Sequence, residues 1–128
     1  MIAPLELARE WLNYARNDLR VAEHLTSMEP PPYETICFHC QQAAEKALKG
    51  FMVFNSQEPP RTHDLEPLRQ ICGALEPDFS AYEEPCKQLT AYAVVVRYPN
   101  ELQVELEDAE MAIRNATSIL TFVESVIK

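Results

Sequence analysis

The sequence predicts an all-α fold, an up-and-down four-helix bundle with one additional short helix, formed as one domain over residues 1–128. Three observations predict it. Apolar residues recur at three- and four-residue steps along five segments, the period of a helix with one buried face. Glycine is scarce, with 2 in the chain, and proline comes in clusters, which suits long helices cut by short stiff loops. The apolar content of 47% is enough to give a chain of this length a core.

The first helix starts at Pro4, which a first helical turn tolerates. Leu5, Ala8, Leu12, Ala15, Leu19 and Ala22 share one face up to about Thr26, with Trp11 and Leu25 on its flanks. Pro30-Pro31-Pro32 ends it. A second helix, Tyr33 to Phe54, carries Ile36, Cys37, Cys40, Ala43, Ala44, Ala47, Leu48 and Phe51, small residues that let neighbouring helices come close. After Pro59-Pro60, Asp64 is placed to cap a short helix with Leu65, Leu68, Ile71 and Cys72 inward, and Gly73 and Pro77 bracket its exit. The spacing of Phe79, Tyr82, Cys86, Leu89, Ala93 and Val96 predicts a long fourth helix that Pro99 stops. Val94-Val95-Val96 has strand character but finds no partner strand. The last helix repeats the pattern at Ala109, Ile113, Ala116, Leu120, Val123 and Ile127. Short loops between such helices make neighbours antiparallel.

No apolar run approaches the ~20 residues of a membrane span. The N-terminal segment lacks the basic start and apolar core of a signal peptide, so the expected location is the cytoplasm. The four cysteines suit reduced thiols on apolar helix positions. A net charge of −9 argues against general binding to a phosphate backbone, though not against a local basic cleft.

Several polar residues face the wrong way. At about 100° per residue, His39, Gln42, Lys46 and Lys49 fall within a quarter of the circumference of the second helix. Asp18 lies at the edge of the buried face of the first helix, and Arg97 leans inward at the end of the fourth. Buried charges need partners, so these groups should pair with each other, a ligand or a second subunit. The plainer reading is a solvated face with a Glu45–Lys49 pair at i,i+4 and an Asp18–Arg97 ion pair. Arg9, Asn13, Arg16 and Arg20 are a solvated face as well, surrounded by Glu6, Glu10 and Glu23, and His24 reads as a surface residue. Cys37-Phe38-His39-Cys40 has a spacing that can share a zinc, but a structural site needs two more ligands, and Cys72 and Cys86 stand alone. No metal or cofactor is therefore expected. Nor does any glycine-rich phosphate loop, nucleophile elbow or His-Glu-x-x-His pair occur. The acidic run Glu101, Glu105, Glu107, Asp108 and Glu110 complements the dipole of the last helix.

Four segments, in this order and spacing, resemble the HEPN domain. They are Trp11 with Ala15 and Asp18-Leu19; Cys37 through Lys49 (CFHCQQAAEKALK); Arg61-Thr62-His63-Asp64-Leu65; and Arg97-Tyr98-Pro99. Cys40 stands where the family pattern has alanine. The resemblance implies a bundle that dimerises, often works beside a separately encoded minimal nucleotidyltransferase, and takes a nucleotide or RNA ligand. Some members are metal-independent ribonucleases that use an Arg and, after a gap of four to six residues, a His. The matching Arg is Arg97, but Leu102, Gln103 and Val104 occupy the positions of the His. That removes the group that would move protons, since arginine cannot act as a base at neutral pH. In related toxin–antitoxin pairs a tyrosine just after the histidine is adenylylated; Tyr98 does not match that position.

The function expected from these residues is an accessory protein, a cytoplasmic homodimer that binds a nucleotide or supports a partner nucleotidyltransferase without catalysis of its own. Lys46, Lys49, Arg61, His63 and Arg97 would surround the ligand, with Asp18 and Glu45 orienting the bases. Arg61 and His63 lie next to a helix start, where backbone N–H groups favour an anion, or else serve only to cap and anchor the loop. The alternatives are a toxin-type endoribonuclease with a degenerate Arg…His motif, in which Arg97 is catalytic, and a structural dimerisation module without ligand.

Overall fold

The computed structural model describes residues 2–93 and 103–127, all of whose regular elements are helical. α1 runs Pro4–Leu25 with proline in its first turn, and buries Ala8, Leu12, Ala15, Leu19 and Ala22, the face its periodicity predicts. α2, Tyr33–Phe54, is the central helix, packed by α1, α3, α4 and α5, and it is buried around most of its circumference. α1 and α2 are antiparallel, since Asp18 meets His39 and Lys46 while Trp11 lies against Gly50. Ser56 closes α2 with a left-handed φ of 59°, which lets Gln57 N–H reach the Met52 carbonyl.

Close approach of α1 to α2 depends on small residues. A Cβ placed on Gly50 would stand 3.0 Å from the Trp11 Cβ and 3.5 Å from the Ala8 carbonyl oxygen. Gly50→Val is therefore expected to destabilise the fold by about 1–3 kcal/mol through overpacking. Urea denaturation checks this, and a variant as stable as the parent would mean that the helices separate freely.

α3, Leu65–Leu75, is capped as predicted by Asp64, whose carboxylate accepts the Glu66 N–H at 3.2 Å. The fourth segment departs from the sequence reading. In place of one long helix there is a 3₁₀ turn, Pro77–Tyr82, followed by an eight-residue α4, Glu83–Thr90. Pro85 is the reason. Its ring would collide with the carbonyl four residues earlier in a continuous helix, so α4 starts at Glu83 and keeps Pro85 in its first turn. At the other end, Thr90 Oγ1 donates to the Cys86 carbonyl at 2.9 Å and accepts the Leu65 N–H at 3.2 Å, tying the end of α4 to the start of α3. Ala93 lies in a bend beyond the helix, and Val94-Val95-Val96 lie outside the described residues.

α5, Leu106–Val126, opens on a capping box between Glu105 and Asp108, which gives part of the acidic run a structural task. It packs on α2, α1 and α4. The four cysteines are buried, and burial pushes the thiols of Cys72 and Cys86 up to about 12 and that of Cys40 higher still. They are core residues, not nucleophiles. No described helix is long and apolar enough to cross a membrane.

Candidate functional site

The polar stripe of α2 resolves into two assemblies of the same design. In the first, Asp18 reaches across from α1 and holds two basic side chains with its two oxygens. His39 Nδ1 meets Oδ1 at 2.9 Å, and Lys46 Nζ donates to Oδ2. In the second, Glu45 does the same within α2 and across to the α2–α3 loop. Lys49 Nζ donates to Oε2 at 2.9 Å, and His63 Nδ1 sits 3.0 Å from Oε1. In both, one carboxylate binds one ammonium and one imidazole. Because a carboxylate only accepts, the facing Nδ1 carries the hydrogen, and Nε2 is left to act on something else.

The second assembly is the more buried. Gln41 is fully buried, and Glu45 and Lys49 are 6% and 8% exposed, while the His63 side chain is 70% exposed. Gln41 Nε2 donates to the His63 carbonyl at 2.8 Å and to Glu45 Oε1 at 3.2 Å, and its oxygen accepts from Gln42 at 2.7 Å. The amide thereby fixes the loop to the helix. Burial pushes the Glu45 carboxyl up, but hydrogen bonds from Lys49, His63 and Gln41, together with the Lys49 charge, outweigh it, and the group stays ionised below the usual carboxylate range.

Of the residues expected to form a site, the structure thus brings Lys46 to Asp18, and Lys49 and His63 to Glu45. Arg61 is exposed on the same loop, two residues before His63, and makes no ion pair among the described residues. Arg97 lies outside the described residues. Asp18 is engaged by His39 and Lys46, and its expected pairing with Arg97 falls outside the described residues. Of the positions where the ribonuclease His would fall, Gln103 is exposed and Val104 packs against the core. Gln41 was not expected to contribute, although its place one helical turn before Glu45 was a signal. Among the described residues no group of three or more His, Cys, Asp or Glu side chains is arranged to hold a metal ion.

Two ammoniums against two carboxylates leave the described stripe close to neutral. Its chemistry is therefore local. The exposed His63 ring and the Arg61 guanidinium can meet an anion at the edge of the assembly, with Lys49 held on the same Glu45 carboxylate as His63.

The sequence matches the HEPN domain family over residues 8–126. The chain belongs to the HEPN family. Its fold is similar to that of TT1696 from Thermus thermophilus, at 33% identity and a TM-score of 0.75, covering 92% of this chain and 96% of that one. It is also similar to ST0689, an archaeal HEPN homologue, at 29% identity and a TM-score of 0.74, covering 94% and 98% of the two chains. No curated protein matches the sequence. Because the likeness runs over nearly the full length of each chain, both carboxylate assemblies lie inside the HEPN domain and not on an appended segment.

Proposed function

We propose that this HEPN protein is a non-catalytic accessory that binds the phosphate groups of a nucleotide or RNA along the α2 stripe, in support of a separately encoded nucleotidyltransferase. The observation that carries the reading is the Gln41–Glu45–Lys49–His63 network. A buried ion pair is a weak source of stability, because desolvation offsets most of the attraction. What this one does is hold an imidazole and an ammonium in a fixed relation at the edge of the domain. Arg61, without an ion pair among the described residues, adds a fork of donors suited to phosphate oxygens. The reading takes α1, α2, α4 and α5 as an up-and-down four-helix bundle, with α3 as the extra short helix, in a cytoplasmic homodimer. A purely structural reading has one observation in its favour, that Asp18 and Glu45 already neutralise Lys46 and Lys49 in place.

Calorimetric titration of the protein with AMP and with inorganic pyrophosphate separates the two. Arg61→Ala is expected to weaken both ligands about tenfold or more, the worth of a charge-assisted hydrogen bond, with unchanged thermal stability. Absence of binding by the wild-type protein sinks the proposal and leaves the structural module. The same preparations incubated with RNA in EDTA test the enzyme alternative. Cleavage that disappears in Arg97→Ala makes the protein a ribonuclease despite its missing histidine.

A further inference from the structure

Beside the stripe, Leu7, Glu10, Trp11 and Tyr14 of α1 and Lys46 of α2 line an open pocket of about 460 Å³. Its aromatic walls differ in role. Trp11 is half-buried where α1 comes closest to α2 at Gly50, so its position is set by packing. Tyr14 is 63% exposed, and the Lys46 ammonium lies 6.0 Å from its ring centroid while also donating to Asp18. Lys46 is thus the one residue shared by the pocket and the stripe.

Two other cavities lack this combination. The one along Asn17, Arg20, Val21 and His24 has no Phe, Tyr or Trp ring and no residue of the stripe. The one between α4 and α5 is rimmed by Glu107 and Asp108, which repel a phosphate. The Trp11–Tyr14 pocket joins an aromatic wall to a cation already placed at the edge of the phosphate-binding stripe. Its volume falls within the ~300–1,000 Å³ of small-molecule sites.

We infer that this pocket is a base subsite, in which the ring of a nucleotide stacks on Tyr14 beside Trp11 while its phosphate extends past Lys46 into the stripe. Stacking on an aromatic side chain is open to any base, because every base has a π-face. The Glu10 carboxylate on the wall only accepts hydrogen bonds, which suits the amino group of adenine, guanine or cytosine. The inference rests on the phosphate reading of the stripe and names its ligand more closely.

Trp11 is the sole tryptophan of the chain, so its fluorescence reports occupancy directly. The full-length protein is titrated with AMP and with ribose 5-phosphate, which lacks the base. AMP is expected to change the emission saturably and to bind about tenfold tighter than ribose 5-phosphate. Tyr14→Ala should weaken AMP about tenfold (~1.4 kcal/mol), leave ribose 5-phosphate unchanged, and be rescued by Tyr14→Phe. Equal affinity for the two ligands, or full AMP affinity in Tyr14→Ala, overturns the base subsite while the phosphate reading stands. Binding of neither ligand overturns both. If Tyr14→Ala instead turns a dimer into a monomer by light scattering, with no change in AMP affinity, the pocket belongs to a second copy of the chain and the inference fails.

Discussion

Glu45→Ala is expected to destabilise the fold by about 3–5 kcal/mol, the usual cost of removing one partner of a buried pair. Three groups lose their acceptor at once. The Lys49 ammonium is left buried without its counter-charge, Gln41 Nε2 loses one of two acceptors, and the His63 ring is released. The exposed Arg16–Glu124 bridge sets the contrast. Its side chains are 44% and 36% exposed, so its loss should cost less than about 1 kcal/mol. Urea denaturation of Glu45→Ala and Arg16→Ala ranks them. The double variant Glu45→Leu/Lys49→Met should recover most of the loss, because apolar side chains suit the centre of α2. A cost below about 1 kcal/mol for Glu45→Ala would show that the network is solvated in solution.

The same network has a signature in pH. Folding depresses the Glu45 pKa below its ordinary value of 4.5, so folding favours the ionised form. The resulting stability is fully present above pH 4.5 and is lost as pH falls through the folded-state value. Glu45→Ala, with nothing to protonate there, should show a shallower decline on the acid side than the wild type.

How far the fold was legible depended on what kind of signal each element carried. Pro4, the Pro30-Pro31-Pro32 run and Pro59-Pro60 punctuate α1 and α2 so firmly that both helices could be bounded closely, and Asp64 announced α3 by its capping chemistry. The fourth segment failed for a physical reason. A 3₁₀ turn repeats every three residues, so Phe79 and Tyr82 keep a helix-like spacing although they lie in the 3₁₀ turn ahead of α4. Pro85 was the clue, and periodicity outweighed it.

The site was legible as a direction and not as a set of partners. Angular position on α2 picked out His39, Lys46 and Lys49, but the choice of counter-ion depends on the offset between helices, which no single sequence prints. Asp18 therefore pairs with Lys46 and His39, and Glu45 binds its i,i+4 lysine while reaching the α2–α3 loop. Tyr14 escaped notice because exposure, the property that equips it for stacking, takes it out of the apolar pattern. Family membership places the whole arrangement within the HEPN domain.

The second large effect is expected at Phe79. Its side chain is fully buried, with ring centroids 4.8 Å from both Phe51 of α2 and Phe122 of α5, and Tyr82 stacks on Phe122 at the same distance. Phe79→Ala should cost about 3–5 kcal/mol, because a ring held by two other rings leaves a cavity that the three helices around it cannot easily close. Phe79→Leu, closer in volume, should cost much less. Since Phe79 sits on the turn that delivers α4, and Thr90 at the end of α4 bonds Leu65 at the start of α3, the loss should concentrate there. Hydrogen exchange is expected to quicken in α3 and α4 before it does in α1. A uniform rise across all helices would mean that the aromatic cluster supports the core as a whole, and that the α3–α4 corner beside His63 does not open separately.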